Sequence, residues 1–350
     1  MHSVDEGRDA ATVSRRVPRQ VVMVDVARRA GVSHQTVSRV INDPESVRAE
    51  TREKVLAAIR ELDYRPNRAA RALATGRTGT VGVVAYDTRL YGPASMLHAI
   101  QLAAQDAGHS VNIVSLDSLE RGPVLDAVDR LRSQGVDGII IIAPEVAAAQ
   151  ALIEIPADFP VVAVEGLLDG PTPVVAVDQF LGATKATRHL LDLGHSTVWH
   201  ITGPGDWYEA RVREQGWRST LEEAGISPPD PLPGDWSPRS GYEQGKRLIG
   251  SGADVTAVFV ANDQMALGVM RVLYEAGLEV PGDISIVGFD DIPEASYYAP
   301  PLTTVRQEFL EVGTLSMAML LRRLRRELDG PVKRVVEPDL VVRASTAPPR

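Results

Sequence analysis

Residues 22–76 read VMVDVARRAGVSHQTVSRVINDPESVRAETREKVLAAIRELDYRPNRAARALATG. Two short helical patterns meet at Gly31 in this stretch, a third helical pattern follows, and a basic segment comes after Pro66. A glycine at a tight turn adopts a positive φ without a clash from Cβ. The order helix, glycine turn, helix is typical of a helix-turn-helix, whose second helix lies in the major groove. The stretch therefore predicts a chain that binds specific DNA.

Three helices are predicted in residues 21–66. Their expected bounds are Asp25 to Ala30, His34 to about Asn42, and about Ala49 to Leu62. Ser33 is the expected N-cap of the second helix, and Pro44 marks its end. The apolar residues that repeat at helical spacing predict a shared core. They are Val26, Ala27, Ala30, Val37, Val40, Ile41, Val55, Ile59 and Leu62.

The second helix is expected to direct His34, Gln35, Ser38 and Arg39 away from this core. Glutamine pairs with adenine and arginine with guanine through two hydrogen bonds each in the major groove. This face is therefore the predicted base-reading surface. The alternative is a generic three-helix bundle whose polar face is only solvated.

A short Ala/Arg-rich segment, residues 67–74, follows the three helices. Pro66 disfavours helix at the residue before it, and Asn67 can cap a helix that follows. An isolated helix of about eight residues is marginal in water, so we expect this segment to fold on DNA, where its arginines meet phosphates. Leu73 is then a candidate minor-groove wedge. The alternative is a flexible linker.

Charge is distributed unevenly along the 350 residues, whose net charge is −9. Residues 1–80 hold 15 Lys/Arg against 10 Asp/Glu, whereas residues 81–350 hold 22 against 36. A basic head on an acidic body confines the attraction for phosphate to one region, although chance unevenness is the plain alternative.

The composition also excludes several classes of protein. The absence of cysteine excludes disulfides, thiolate nucleophiles and cysteine-based zinc sites. No apolar run is long enough to span a bilayer, and residues 1–20 are polar, without an export signal, and are expected to form a disordered tail. We therefore expect no membrane association and a cytoplasmic protein.

Eight short apolar runs follow Thr80 and alternate with helical stretches. Continuous apolar runs of this kind are typical of parallel strands that helices cover on both faces, which predicts an α/β body of two lobes with a cleft. A helix over Leu315–Leu328 is expected to pack its Leu/Met face on a lobe, with its arginines merely solvated. The predicted strands are 80–86, 110–116, 138–143, 161–165, 174–178, 198–203, 257–262 and 284–290.

Ligands in open α/β sheets bind beyond the carboxyl ends of the strands. Carboxylates, amides and one arginine stand at or after these ends, without a nucleophile motif, a metal-ligand cluster or a phosphate loop, and Trp236 and Phe309 are candidates to stack on a sugar ring. Such groups suit vicinal hydroxyls. The polar residues are Glu165, Arg213, Asn262, Asp263, Asp290 and Asp291.

Each of these residues also has a structural alternative. Asn262, Asp290 or Asp291 can cap the helix that follows, and Trp236 can belong to the core. At the level of the whole chain, the rivals are a solute-binding receptor, which shares a two-lobed body, and a sugar-processing enzyme. The basic charge of residues 1–80 argues against the solute-binding receptor. The paired carboxylates Asp290 and Asp291 are neighbours that point apart and do not straddle a bond, which opposes the enzyme.

Independent motifs in one order make the chain, over residues 22–346, similar to the LacI/GalR family. They are VSHQTVSRVIN at 32–42, TREKV at 51–55, PNR at 66–68, Gly216-Trp217, GDWS at 234–237, VANDQMALG at 260–268, ISIVGFDD at 284–291 and PPLTT at 300–304. The resemblance implies a helix-turn-helix domain over 21–66, a hinge helix and linker over 67–78, and a two-lobed body over 79–350 that resembles periplasmic binding proteins.

The resemblance also assigns site residues. The implied DNA-binding residues are Ser33, His34, Gln35, Thr36, Ser38, Arg39, Asn42, Asn67, Arg68, Arg71 and Leu73. The implied effector-binding residues are Tyr86, Leu90, Pro93, Glu165, Arg213, Trp236, Asn262, Asp290 and Phe309, with Gly92 beside the apolar wall. Five positions depart from the pattern that the resemblance supplies. Val22 stands where Thr or Ser usually caps the first helix, and His34 stands where a tyrosine is found. Near the sugar pocket Tyr86 replaces a serine, Ile142 an asparagine and Glu165 an aspartate.

The function that the resemblance implies is that of a repressor released from a near-palindromic operator by a small sugar, a galactoside or a related saccharide. A corepressor that tightens DNA binding is the alternative. After Val342 the chain reads RASTAPPR, without the leucine heptad helix of tetrameric members, which predicts a homodimer. No catalytic residue, metal or cofactor is expected.

Overall fold

The computed structural model of the chain describes residues 21–65, 72, 76–118, 120–142, 152–156, 158–166 and 172–350. The chain separates into two compact units, divided between Gly76 and Arg77. The predicted tail over 1–20 and most of the predicted hinge over 67–78 lie outside the described residues.

The first unit is a bundle of three helices: α1 (Met23–Ala30), α2 (His34–Asn42) and α3 (Ala49–Glu61), with a 3₁₀ turn at Pro44–Ser46 between the last two. Val26, Val37 and Val55 are fully buried between the helices, as the apolar spacing predicted. Gly31 has a φ of +67° at the turn between α1 and α2, which confirms the prediction for this glycine.

The first helix begins at Met23, two residues before the predicted start at Asp25. Valine at position 22 has no side-chain acceptor for the first turn. The Asp25 carboxylate accepts a hydrogen bond from the Val22 N–H instead, at 3.1 Å. An acidic residue inside the first turn thus stabilises a helix start that the N-cap residue itself does not.

The second unit contains two six-stranded sheets, each covered by helices. Its strands are β1 (Thr80–Tyr86), β2 (Ser110–Leu116), β3 (Gly138–Ile142), β4 (Val161–Val164), β5 (Val174–Val177), β6 (Trp199–Thr202), β7 (Leu232–Pro233), β8 (Ala257–Val260), β9 (Ser285–Asp290), β10 (Thr303–Arg306), β11 (Lys333–Val336) and β12 (Asp339–Val341). Its helices are α4 (Tyr91–Asp106), α5 (Arg121–Ser133), α6 (Gln179–Asp192), α7 (Tyr208–Glu223), α8 (Pro238–Gly250), α9 (Asp263–Glu275) and α10 (Phe309–Leu324). A 3₁₀ turn lies at Pro293–Tyr297.

The sheets define two lobes. The first sheet has the order β11-β5-β4-β3-β1-β2, and the second has β12-β10-β9-β8-β6-β7. All neighbours run parallel except β12, which lies antiparallel to β10. This confirms the predicted α/β body with two parallel sheets.

Each of the eight predicted strands is present, and four further strands escaped prediction. The four are β7, β10, β11 and β12, which are two to four residues long and either carry polar residues or lie partly exposed at a sheet edge. The expectation of burial on both faces is wrong for β2, because this strand ends the first sheet and exposes Ile113. An edge strand has a neighbour on one side only.

The last long helix returns to the first lobe after the second sheet is complete. Helix α10 packs on α4 and on β3, β4 and β5. The two helices approach closely at Gly313, where a Cβ atom would lie 2.5 Å from the backbone of Ala99. The predicted bounds, Leu315–Leu328, are wrong at both ends: the helix starts at Phe309, and the chain leaves it before Arg326, whose φ is +59°.

Candidate DNA-reading surface and ligand cleft

Helix α2 presents a polar face at the surface of the first unit. His34, Gln35 and Arg39 are exposed on it, while Val37 and Val40 are buried on the opposite face. Alternation of this kind follows from 3.6 residues per turn. The exposed side chains keep donors and acceptors available to an edge of a base.

The start of α2 is capped as predicted. Ser33 Oγ accepts a hydrogen bond from the Thr36 N–H at 3.1 Å, and the two hydroxyl groups lie 2.8 Å apart. The cap fixes the first turn of α2 and so sets the position of the reading face. Ser38 is half-buried on this helix.

Other predicted DNA-binding residues lie outside the description. Asn42 is the last residue of α2, but its side chain is not described. The hinge residues, on which the predicted phosphate and minor-groove contacts depend, are likewise outside the described residues; they are Asn67, Arg68, Arg71 and Leu73.

A cavity with about 500 Å³ of empty space lies between the two lobes. The first lobe contributes a mostly apolar wall, and the second lobe contributes a wall of polar and indole groups. The lining residues are Leu90, Tyr91, Gly92, Pro93, Met96 and Ile142 on the first side, and Gln179, Trp207, Glu209, Arg213, Trp236, Asn262, Asp290 and Gln307 on the second. A concave surface that combines apolar and aromatic walls with a few convergent polar groups is typical of small-molecule sites.

Arg213 stands at the centre of the polar wall and is 5% exposed. Its Nε donates to Gln179 Oε1 at 2.9 Å, and its Nη1 donates to the Ala261 carbonyl oxygen at 2.5 Å. Its Nη2 lies 3.7 Å from Asp290 Oδ1, and its guanidinium lies 3.7 Å from the centre of the Phe289 ring. Hydrogen bonds on several sides hold the guanidinium in one orientation.

Asp290 closes the strand β9 at the cleft. Gln307 Nε2 donates to its Oδ1 at 2.7 Å. Burial raises the pKa of the Asp290 carboxyl to about 6, although Arg213 and Gln307 favour the ionised form. The carboxylate keeps further lone pairs for a ligand that donates hydrogen bonds.

Backbone strain is concentrated around this cleft. Glu165, Trp236 and Asp290 have φ values of +60°, +70° and +105°, in a region that non-glycine residues rarely adopt. Such conformations persist when the surrounding structure imposes them, and they cluster at ligand sites.

Asn262 is a helix cap that also lines the cavity. Its Oδ1 accepts a hydrogen bond from the Met265 N–H at 2.9 Å, which caps α9, and its Nδ2 donates to the Trp236 carbonyl oxygen at 3.1 Å. The side chain also lines the cavity. Asp263 and Asp291, named beside it from the sequence, are not lining residues; Asp291 is paired with Arg306 and Arg343.

Six of the nine predicted effector residues therefore line the cavity, and three lie behind its wall. Tyr86 packs on Trp207 with ring centres 5.8 Å apart, and Phe309 meets Tyr91 edge-on at 5.9 Å. Glu165 is fully buried and accepts a hydrogen bond from the Val177 N–H at 3.0 Å. Burial raises the pKa of Glu165 to about 7.

Several lining residues were not predicted. Gln179 follows the predicted strand β5, so the expectation that ligands bind beyond strand ends could have identified it. Gln307 follows β10, which the apolar pattern did not reveal. Glu209 lies one helical turn before Arg213, on the same face of α7. No local sequence pattern distinguishes the lining residues Tyr91, Met96 and Trp207 from ordinary core residues.

No cluster of three or more His, Asp or Glu side chains suited to a metal ion occurs in the described part of the chain. Within the same residues, no helix combines the length and the apolar character needed to cross a bilayer.

Comparison with known proteins connects both units to one family. Residues 22–67 match the bacterial regulatory proteins of the lacI family, and residues 187–346 match the periplasmic binding protein-like domain. The chain is 39% identical to the lactose operon repressor of Escherichia coli (strain K12) over 309 residues, which are 86% of this chain and 84% of the repressor.

Two further relatives extend the likeness over nearly the whole chain. The transcriptional repressor PurR of Haemophilus influenzae is 34% identical over 329 residues, 92% of this chain and 97% of PurR. The crystal structure of the Lac repressor dimer bound to operator and the anti-inducer ONPF superposes with a TM-score of 0.84 at 37% identity. It covers 94% of this chain and 100% of that one. The relatives are transcriptional repressors and not enzymes, and this chain belongs to the LacI family of DNA-binding transcriptional regulators.

Proposed function

We propose that this chain represses transcription in the cytoplasm as a homodimer on a near-palindromic operator, and that a small sugar in the cleft releases it. The observation that carries the sugar assignment is the composition of the cavity wall. One fixed guanidinium, one carboxylate of Asp290 and the amides of Gln179 and Gln307 surround the same space as two indole rings.

Sugars need both kinds of surface. Their hydroxyl groups donate to carboxylates and accept from guanidinium and amide N–H groups, and their C–H faces pack on aromatic rings. Trp207 and Trp236 meet edge to face with ring centres 5.5 Å apart. A galactoside is the candidate that the lactose operon repressor suggests.

Base recognition is assigned to α2. His34, Gln35 and Arg39 supply sequence choice in this proposal, with Ser33, Thr36, Ser38 and Asn42 around them. Two such helices in a homodimer read two half-sites, so the symmetry of the operator follows that of the protein.

Release by the sugar requires that the ligand prefer one arrangement of the lobes. Tyr86, Leu90 and Tyr91 of the first lobe pack against the apolar core of the second lobe, which includes Trp207 and Trp236. Of these residues, Leu90, Tyr91, Trp207 and Trp236 line the cavity, so in this proposal occupancy of the cleft and the contact between the lobes are coupled.

The test begins with selection of bound duplexes from a random DNA pool by the full chain. Fluorescence anisotropy then measures the Kd for the selected duplex with lactose, cellobiose, D-galactose or D-ribose. We expect at least one sugar to raise the Kd by about 5- to 150-fold, a coupling of about 1–3 kcal/mol.

Three outcomes contradict parts of the proposal. Failure of the selection to enrich any DNA sequence contradicts the proposal of specific DNA recognition. A sugar that lowers the Kd makes it a corepressor rather than an inducer. A Kd that none of the four sugars changes removes the sugar assignment while leaving DNA recognition intact.

A further inference from the structure

The Glu209 side chain is unusual among the residues of the cleft. It lies in the first turn of α7, is 5% exposed, and lines the cavity between the lobes. Neither carboxylate oxygen has a hydrogen-bond partner on another residue. Buried polar atoms are almost always paired, so an unpaired carboxylate in a cavity wall needs an explanation.

The other buried acidic residues of the described chain are all satisfied by protein groups. Glu165 accepts from the Val177 N–H, Asp263 accepts from the Ile292 N–H and the Thr304 hydroxyl, and Asp290 accepts from Gln307. These three carboxylates are therefore built into the fold, whereas Glu209 is not.

Arg213 is the obvious candidate partner, because it follows Glu209 by one helical turn. Its donors are directed elsewhere: to Gln179, to the Ala261 carbonyl and towards Asp290. The fold thus holds the guanidinium away from Glu209, whose side chain belongs to the cavity wall without a protein donor to its carboxylate.

We propose that Glu209 binds the sugar directly, its two oxygens accepting hydrogen bonds from a pair of adjacent hydroxyl groups. This inference rests on the proposed function and names the group that selects the ligand. A carboxylate accepts two O–H bonds side by side, which a vicinal diol supplies. The indole N–H of Trp236, in the same wall, also lacks a partner and provides a donor for a further sugar oxygen.

The charges around Glu209 predict how binding depends on pH. Burial, followed by repulsion from Glu165, raises the pKa of the Glu209 carboxyl well above its ordinary value; Asp290 adds to this and Arg213 opposes it. Hydrogen bonds from sugar hydroxyls favour the ionised form. The sugar therefore releases a proton when it binds, and its affinity rises with pH over the range in which free Glu209 titrates.

The test uses isothermal titration calorimetry on the full chain with lactose, cellobiose, D-galactose and D-ribose. The sugar that binds the wild type best is then titrated into Glu209→Gln and into Glu222→Gln, which removes an exposed carboxyl from the same helix. We expect Glu209→Gln to raise the Kd by at least about tenfold, as loss of hydrogen bonds to a charged group does, and Glu222→Gln to leave it unchanged.

Two further measurements separate ligand binding from a structural role. Titration in buffers of different ionisation enthalpy should show proton release for the wild type and none for Glu209→Gln. The ligand-free thermal midpoint of Glu209→Gln should equal or exceed that of the wild type, because no other residue donates a hydrogen bond to this carboxyl that the amide would lose. A lower midpoint indicates a structural carboxylate and contradicts the inference, as does wild-type binding without proton release.

The remaining outcomes distinguish this inference from the proposed function. Unchanged sugar affinity in Glu209→Gln overturns the inference and leaves a sugar-responsive regulator. Failure of all four sugars to bind the wild type overturns the sugar assignment, and the inference with it. A further outcome is that D-galactosamine binds the wild type more tightly than D-galactose does, with this preference absent from Glu209→Gln. That result would show that Glu209 recognises an ammonium group and would contradict recognition of a vicinal diol.

Discussion

The reading face of α2 and the cleft of the body use the same kinds of side chain in opposite environments. His34, Gln35 and Arg39 stand in solvent above a small apolar core. Arg213 and Asp290 are 5% and 8% exposed and depend on protein partners. The polar side chains of α2 carry little desolvation cost, because water solvates them.

Because of this difference, substitutions on the exposed face of α2 can change function without changing stability, whereas substitutions of buried charges in the cleft change both. An exposed side chain on α2 can change while the fold stays intact. A buried charge in the cleft cannot, because each of its partners would be left unsatisfied in a medium that solvates charge poorly. Four substitutions test the comparison, in order of decreasing effect.

Arg213→Met should destabilise the protein most. It removes the N–H groups that donate to Gln179 Oε1 and to the Ala261 carbonyl oxygen, and it leaves the buried Asp290 carboxylate without its cation. We expect the free energy of unfolding in urea to fall by about 3–5 kcal/mol. Arg211→Met changes an exposed arginine of the same helix and is the control. Equal stability of the two variants would show that the buried network is dispensable.

Glu165→Gln should change how stability depends on pH. The raised pKa of about 7 means that the folded protein holds a proton that the unfolded chain loses near pH 4.5. This contribution to stability is complete below about pH 4.5 and disappears as the pH rises towards 7. The variant should therefore gain up to about 3 kcal/mol relative to the wild type between pH 4.5 and 8.

Urea unfolding at a series of pH values measures this difference. Glu222→Gln, which removes an exposed carboxyl, should remain parallel to the wild type. A gap between Glu165→Gln and the wild type that does not change with pH would contradict the assignment of this titration to Glu165.

Arg39→Ala should weaken DNA binding without loosening the fold. Loss of a two-fold hydrogen bond to a base is expected to cost about 1–3 kcal/mol of affinity for the selected duplex. The unfolding free energy should stay within about 0.5 kcal/mol of the wild type, because the side chain is exposed. Arg60→Ala removes an exposed arginine of α3 and is the control for lost charge. An equal loss of affinity in both variants would argue against base reading.

Val22→Ser should have the smallest effect and the opposite sign. Val22 is 46% exposed and extended at the start of α1, and it lacks a side-chain acceptor. A serine completes the reciprocal pair that Asp25 already half forms. We expect about 0.5–1 kcal/mol of added stability, seen as about two- to fivefold slower amide exchange in α1. Val24→Ser, in the first turn of α1, should not slow exchange.

Local signals in the sequence predicted much of the fold. Helix α2 has the predicted bounds because Ser33 caps it and its apolar residues repeat at helical spacing. Strands β1 and β2 also have the predicted bounds, because both are rich in valine, isoleucine and other apolar residues over seven positions. The short strands β10 and β12 had no such signal, since their pairing depends on neighbours far away in the chain.

The candidate site was predictable wherever a polar residue follows a recognisable strand. That rule selected Asn262 and Asp290, which line the cavity, and Glu165, which lies behind its wall. It missed Gln307, because β10 before it was not recognised. Glu209 escaped because it lies on a helix and not at a strand end, where nothing local distinguishes a buried glutamate from a solvated one.

The sequence by itself determined the three-helix head, the polar face of α2, the α/β class of the body and the family to which the chain belongs. Periodicity, caps and motifs act over a few residues and can be read along the chain. Only the tertiary structure decided that α10 returns to the first lobe, that Gln179 and Gln307 meet beside Arg213, and that Glu209 is left without a partner. These pairings join residues as many as 128 positions apart, and the order of strands in each sheet, rather than any local preference, brings them together.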